Sequence, residues 1–266
     1  MVSNEQRRKQ LAREKFARQQ QRRESARRKV RQRNVVIASS LAAVLAVGAV
    51  ATAAGAFSGD DKSSDSAVKP TPTPTPSAPK PKPEPKMAVD KKAKYTMSLK
   101  TNQGDLTIAM DAAKTPHTVN SFKHLADKGF FDGTKCHRLV AMNPFVLQCG
   151  DPEGTGMGGP GYTIPDENLA GLGTPDKKKG TVKYPAGTVA MANTGQPHSG
   201  GSQFFIVYKD SELPPSYTPF GTVDDAGLKA VQDIAKGGLT PANPQYPDDG
   251  APKKTVTISK ATVEKD

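Results

Sequence analysis

The alternation of apolar and polar residues predicts a series of short strands that begins near residue 95. Alternation is clear over residues 95–99 and again over 106–110, on the two sides of the turn sequence Asn102-Gln103-Gly104-Asp105. A period of two is that of a strand with one buried face, so these segments predict a β-hairpin. Further strands are predicted over residues 136–140, 145–149, 187–192, 203–208, 219–223 and 255–263.

Two segments have helical periodicity instead. Thr115 and Pro116 offer an N-cap followed by a proline at the first helical position, and Gly129 ends the pattern. A second helix is predicted over residues 227–236 and ends at Gly237-Gly238. The apolar stripes of the two helices are Val119, Phe122 and Leu125, and Leu228, Val231 and Ile234. Many short strands and two helices without regular βαβ alternation predict a mainly β domain over residues 93–266, an antiparallel barrel or sandwich.

The segment from Val35 to Phe57 has 23 residues without a charge. As a helix it would rise about 34 Å, which is enough to cross the hydrocarbon core of a bilayer. Residues 1–34 carry 13 Lys and Arg against 3 Glu, a net charge of +10, and an excess of Lys and Arg marks the cytoplasmic flank of a membrane segment. We therefore predict a basic cytoplasmic tail (1–34), a single transmembrane signal-anchor helix (35–57) and a C-terminal domain outside the cytoplasmic membrane.

A cleaved signal sequence is the alternative interpretation of the same segment. Ala54-Gly55-Ala56 has small residues at the spacing that a signal peptidase accepts, and cleavage would release the domain as a secreted protein. Against cleavage, the basic leader is long and the apolar stretch exceeds the usual length of a signal peptide. The basic tail also has the charge to contact anionic lipid headgroups.

Residues 58–92 predict a disordered linker. Eight prolines lie between Pro70 and Pro85, alternating mainly with Thr and Lys, and this composition cannot form a core. Proline at every second position favours polyproline II, so residues 70–86 predict a semi-rigid spacer of about 50 Å.

Composition excludes several classes of protein for the main body. The net charge of the chain is +12, and 12 − 10 leaves only +2 after residue 34, so no nucleic-acid-binding face is expected there. Two Cys and four scattered His exclude a disulfide-rich scaffold and a Cys/His zinc module, and no metal site or cofactor is predicted. The glycine-rich run 154–161 lacks the Gly-Lys-[Ser/Thr] ending of a phosphate-binding loop and opens no predicted helix, so it is interpreted as a mobile surface loop.

Five segments, in this order, carry the chemical signal. They are Cys136-His-Arg-Leu-Val140, Pro144-Phe-Val-Leu-Gln-Cys-Gly-Asp151, Met191-Ala-Asn-Thr194, Gly201-Ser-Gln-Phe-Phe-Ile206 and Tyr217-Thr-Pro-Phe-Gly221. With them the chain resembles the cyclophilin family of peptidyl-prolyl cis/trans isomerases over residues 94–264. The resemblance implies a closed eight-stranded antiparallel barrel capped by two α-helices, with Pro-containing polypeptides as substrates.

The resemblance also implies the residues of the site. The arginine of the His-Arg pair is the family's catalytic group, and it matches Arg138. The family's substrate-binding positions match Phe145, Val146, Gln148, Ala192, Asn193, Gln203, Phe205, Leu213 and Tyr217. Two extra residues precede Phe145, and Glu212 stands where many members carry a Trp that assists cyclosporin binding. Weak binding of cyclosporin is therefore implied.

An arginine suits prolyl isomerisation for an elementary reason. Resonance in the amide sets a rotational barrier of about 18–20 kcal/mol, and X-Pro bonds isomerise in roughly tens to hundreds of seconds. In the twisted transition state this resonance is lost and the prolyl nitrogen becomes basic, so the Arg138 guanidinium can donate to it only there. Apolar side chains of the matched set would hold the proline ring, while Gln148 and the main chain of Asn193 hold the flanking peptide.

The two cysteines lie on consecutive predicted strands. In an oxidising compartment Cys136 and Cys149 can form a cross-strand disulfide, and two buried free thiols fit the sequence equally well. We predict a membrane-tethered isomerase that accelerates the folding of secreted or envelope proteins. The alternatives are a proline-segment binding module or chaperone without significant turnover, and a cytoplasmic protein tethered to nucleic acid by its basic tail.

Overall fold

The computed structural model describes residues 82–266. The basic tail, the predicted membrane segment and the linker up to residue 81 lie outside the described residues. Within residues 82–266 no helix has both the length and the apolar character needed to cross a bilayer.

The described residues form twelve strands and two helices. In chain order these are β1 (Tyr95–Thr101), β2 (Leu106–Met110), α1 (Pro116–Asp127), β3 (Arg138–Val140), β4 (Val146–Cys149), β5 (Val182–Tyr184), β6 (Thr188–Met191), β7 (Phe204–Val207), β8 (Ser211–Leu213), β9 (Pro219–Val223), α2 (Asp225–Lys236), β10 (Leu239–Pro241), β11 (Asp249–Pro252) and β12 (Ile258–Lys265). The mainly β character and both predicted helices are confirmed. Strands β5, β8, β10 and β11 lie where the sequence predicts none.

Ten strands form one antiparallel sheet in the order β10-β11-β3-β4-β7-β6-β9-β2-β1-β12, and β5 pairs with β8. The ladders therefore do not form the closed eight-stranded barrel that the resemblance implies. The physical reason is that β11 occupies the second edge of β3, with Asp249 opposite Val140. Strand β12 meets the chain before β3 only through isolated bonds, such as the one from the Ile258 N–H to the Thr134 carbonyl, 2.8 Å long.

Helix α1 packs on the sheet through an aromatic cluster. The ring of Phe122 lies 4.9 Å from that of Phe220 and 5.4 Å from that of Phe131, between ring centroids. All three side chains are fully buried. This cluster fixes the main core on the side of the sheet that α1 covers.

The N-terminus of α1 is capped differently from the prediction. Pro116 does begin the helix, but the Thr115 side chain makes no capping bond, because its hydroxyl donates to the Asp111 carbonyl at 2.6 Å. The carboxylate of Glu167 caps the helix instead, accepting from the N–H of His117 at 3.0 Å and of Thr118 at 2.9 Å. A residue about fifty positions away thus satisfies the free donors of the first turn.

Residues 82–92, the last part of the predicted linker, pack against the domain. The Ala88 N–H donates to the Asn120 side-chain oxygen at 2.8 Å, the Lys82 N–H donates to the Gly161 carbonyl at 2.8 Å, and Val89 is buried. The prediction of disorder up to residue 92 is therefore corrected for this part. Its polar main chain finds partners on α1 and on the glycine-rich loop.

Candidate active site

The predicted catalytic arginine stands in a row of hydrogen-bonded side chains. Arg138 and Gln148 lie opposite each other on β3 and β4, and Arg138 Nη1 donates to Gln148 Oε1 at 3.1 Å. Gln148 Nε2 donates to Gln203 Oε1 at 2.8 Å, and Gln203 Nε2 donates to the Gly158 carbonyl at 2.9 Å. Three residues that the sequence singles out are thus brought together and joined to the glycine-rich loop.

Asp249 belongs to the same site, although the sequence gives no sign of it. Arg138 Nε and Nη2 donate to its two carboxylate oxygens, both at 2.7 Å. These hydrogen bonds raise the pKa of Arg138, and burial offsets only part of that effect. No motif marks Asp249, because only the pairing of β11 with β3 brings its carboxylate to the arginine.

Beside this polar row lies an apolar floor formed by Val146, Phe205 and Leu213. These three side chains are buried in one cluster, against which Ala192 and Tyr217 pack. The rings of Phe205 and Tyr217 meet edge to face with their centroids 5.4 Å apart. Apolar side chains beside a polar row are what a groove for a proline ring requires.

The structure does not bring Phe145 into that floor. Its ring packs against the main core and lies 5.9 Å from the ring of Tyr208, between centroids. The connection before it, which holds the two extra residues, is tied to β8, since Asn143 Oδ1 accepts from the Glu212 N–H at 2.8 Å. The Phe145 N–H donates to Ser211 Oγ at 2.8 Å. These bonds fix Phe145 at the edge of the site.

A groove of about 550 Å³ runs along the polar row, and its lining includes Gln148, Ala192, Asn193 and Gln203. The Asn193 side chain donates to the Ser216 carbonyl at 2.7 Å and accepts from the Gly195 N–H at 3.0 Å. The Asn193 main-chain N–H and C=O have no hydrogen-bond partner among residues 82–266. They are therefore available to an extended peptide, as strand addition requires.

One wall of the groove is the glycine-rich loop, which the sequence analysis interprets as a mobile surface loop. The buried carboxylate of Asp151 accepts from the N–H groups of Glu153 (2.8 Å), Thr155 (2.9 Å) and Gly158 (3.2 Å) and also from that of Gly156. Burial raises the pKa of Asp151, but these hydrogen bonds outweigh it and the pKa lies below its ordinary value. The loop is exposed yet anchored at its base.

Two further features border the site. Cys136 and Cys149 are both buried and form a disulfide in the structure, directly behind Gln148 on β4. Glu212, which the resemblance matches to the Trp of many cyclophilins, is exposed on β8 and accepts from Lys179 Nζ at 2.8 and 3.0 Å. An exposed ion pair between Glu212 and Lys179 thus stands on β8, and neither residue is among those that line the groove.

The sequence profile described as cyclophilin type peptidyl-prolyl cis-trans isomerase/CLD matches residues 96–263. This match, together with the fold and the Arg138-Gln148-Gln203 row, places the chain in the cyclophilin family. The five ordered motifs had indicated the same family.

Two of the similar curated proteins come from mycobacteria. A probable peptidyl-prolyl cis-trans isomerase B of Mycobacterium leprae is 47% identical over 175 residues, covering 65% of this chain and 58% of the relative. Its counterpart in Mycobacterium tuberculosis H37Rv is 42% identical over 205 residues, covering 76% and 62%. The chain thus matches about three fifths of the length of each. A crystal structure of a Cryptosporidium parvum cyclophilin type isomerase matches with a TM-score of 0.50 and 26% identity, covering 65% of this chain and 99% of that one.

Proposed function

We propose that this protein is a peptidyl-prolyl cis/trans isomerase in which Arg138 is the catalytic residue. The observation that carries the proposal is the juxtaposition of the Arg138 guanidinium with Gln148, 3.1 Å away, beside the apolar floor of Val146, Phe205 and Leu213. Membership of the family, and the names of the mycobacterial relatives, support the same activity.

The proposed reaction needs no covalent step. A proline ring rests on the apolar floor, and the main chain of Asn193 and the Gln148 side chain hold the residues on its two sides. As the X-Pro bond twists, the prolyl nitrogen regains its lone pair and accepts a hydrogen bond from Arg138, which neither planar ground state can offer. The bond then relaxes to the other isomer, and no group on the protein changes its protonation state.

The test is the rate of cis/trans isomerisation of a short peptide with one X-Pro-Phe sequence, measured with the full chain and with Arg138→Ala. We expect a clear acceleration that falls at least about tenfold in the variant, since a donor used only in the transition state is lost. Lys183→Ala, which removes an exposed cation from β5, is the control and should leave the rate unchanged. A folded wild-type protein without acceleration would refute the proposal.

The second candidate is a binding module that holds proline segments without turnover. It is favoured by the replacement of the family's Trp by Glu212 and by the position of Phe145 outside the apolar floor. Titration of the same peptide separates the two candidates. A binder keeps its peptide affinity in Arg138→Ala and shows no acceleration in the wild type, whereas the enzyme shows acceleration that depends on Arg138.

We further propose that the domain lies outside the cytoplasmic membrane, tethered by residues 35–57, and acts on secreted or envelope proteins. The support comes from the uncharged segment and its basic flank in the sequence. Protease added to intact cells should digest the domain and leave a membrane-bound N-terminal fragment. A domain found free in the medium would favour signal cleavage, and one protected until lysis would favour the cytoplasmic alternative.

A further inference from the structure

We propose that Asp249 is a positioning residue for prolyl isomerisation, which fixes the plane of the Arg138 guanidinium. The inference rests on the proposed function of Arg138, and the experiment below separates the two. Its basis is the pair of hydrogen bonds, both 2.7 Å, from Arg138 Nε and Nη2 to the two oxygens of one carboxylate. A bidentate pair of this kind fixes orientation as well as position.

The hydrogen bonds of the guanidinium leave donors for a substrate. A guanidinium has five N–H groups. Asp249 accepts from two of them, and Gln148 accepts from a third on Nη1. One N–H then remains on each terminal nitrogen. Because Asp249 and Gln148 hold the group from two sides, the remaining donors keep one direction before a peptide binds, which is the preorganisation that transition-state stabilisation needs.

Regular strand pairing, rather than an irregular loop, positions the Asp249 carboxylate beside Arg138. Asp249 begins β11 and pairs with Val140, and Gly250 pairs with Leu139 on the strand that carries Arg138. A Cβ atom at Gly250 would collide with the Thr240 carbonyl oxygen of β10, so the β10–β11 hairpin is closed tightly at this point. The distance between Asp249 and Arg138 is thus set by main-chain pairing.

If the Arg138–Asp249 ion pair served only to stabilise the fold, losing it would lower the stability of the protein rather than its catalytic rate. The side chains of Arg138 and Asp249 are 46% and 35% exposed, and ion pairs that exposed contribute little to folding stability. Loss of Asp249 should therefore affect catalysis more than stability. If Asp249 instead competed with the substrate for the guanidinium, its removal would make the enzyme faster.

The experiment measures isomerisation of the X-Pro-Phe peptide by the full chain and by Asp249→Asn, Asp249→Glu and Asp248→Asn. We expect kcat to fall about tenfold in Asp249→Asn, since a misplaced catalytic group costs at least this much, with KM changed less than about twofold. Asp249→Glu keeps the carboxylate and should recover part of kcat. Asp248→Asn is the control, because the Asp248 side chain makes no hydrogen bond within residues 82–266, and it should match the wild type.

A double variant tests whether Asp249 acts through Arg138. In an Arg138→Ala background, Asp249→Asn should have no further effect. The inference would be overturned if Asp249→Asn lowered kcat in the Arg138→Ala background as much as it does alone. It would also be overturned if Asp249→Asn alone had a kcat equal to or above that of the wild type. Full activity in Arg138→Ala would instead overturn the proposed function itself.

A spectroscopic readout keeps the inference testable even if Asp249→Asn fails to fold. Arg138 is the only arginine after residue 34, so its Nε–H signal can be assigned in the ¹⁵N spectrum of the protein. A hydrogen-bonded Nε–H exchanges slowly with water, and we expect slow exchange in the wild type and fast exchange in Asp249→Asn. Exchange in the wild type as fast as that of free arginine in solution would overturn the inference.

Discussion

At the scale of single residues, buried and paired carboxylates organise the site more than the motifs suggest. Asp151 anchors the glycine-rich loop by accepting from four main-chain N–H groups. Asp249 holds Arg138. The sequence identified Arg138, Gln148 and Gln203 because they match site positions of the family. Asp151 ends one of the same motifs but was given no role, whereas Asp249 acts through a contact that only the pairing of β11 with β3 creates.

The first prediction concerns Asp151→Asn. The pKa of Asp151 is depressed in the folded protein, so its charge stabilises the fold above the unfolded pKa of about 3.9, and this stabilisation is lost as the pH falls through the folded pKa. We expect the variant to be less stable by about 2 kcal/mol at pH 7, with the difference shrinking as the pH falls below the unfolded pKa of about 3.9. Denaturant unfolding across pH measures it, with Asp248→Asn as the control. A difference that does not change with pH would contradict this account.

The second prediction concerns Glu212→Trp. The wild type should bind cyclosporin weakly, because an ion pair with Lys179 stands where the family's indole would be. An indole offers apolar area and an N–H donor, so the variant should bind at least about tenfold more tightly. Inhibition of peptide isomerisation by cyclosporin measures this. Lys179→Ala breaks the same ion pair without adding a ring, and an equal gain in that control would contradict the role given to the indole.

At the scale of elements, the sequence predicted the segments with clear periodicity or an apolar run and missed four short strands without either. The β1–β2 hairpin and both helices follow from alternation and helical stripes that extend over a full element. Strands β3, β4, β6 and β7 have only three or four residues but lie in longer predicted strand segments, whereas β5, β8, β10 and β11 are as short and have no apolar run. The pairing of β11 with β3, which brings Asp249 to the site, therefore could not be derived from the sequence.

The third prediction concerns the disulfide between β4 and the chain before β3. We propose that Cys136 and Cys149 are oxidised in the native protein, as the structure has them. Closing a loop of this length stabilises a fold by about 3 kcal/mol, so reductant should lower the unfolding free energy by that amount. The double variant Cys136→Ala/Cys149→Ala should show the same loss and no response to reductant. Complete alkylation of the denatured protein without reductant would show free thiols instead.

At the scale of the whole molecule, composition located the domain but placed its boundary too late. Proline and charge predict a linker up to residue 92, yet residues 82–90 contact the domain through Asn120 and Gly161. Composition indicates whether a segment can form a core of its own. It does not indicate whether the segment packs against the core of a neighbouring domain. The resemblance identified the family, but the closed eight-stranded barrel that it implied was wrong, because β11 pairs with β3 and ten strands form one sheet.

Arg138 is the residue that makes the proline-binding groove catalytic. The most direct measurement is NMR exchange spectroscopy on one X-Pro-Phe peptide at equilibrium with catalytic amounts of wild-type protein or Arg138→Ala, because one sample reports binding and turnover together. We predict exchange cross-peaks between the cis and trans signals for the wild type. For the variant we predict retained peptide shift changes with exchange at least about tenfold slower. Equal exchange rates for the two folded proteins would contradict the account.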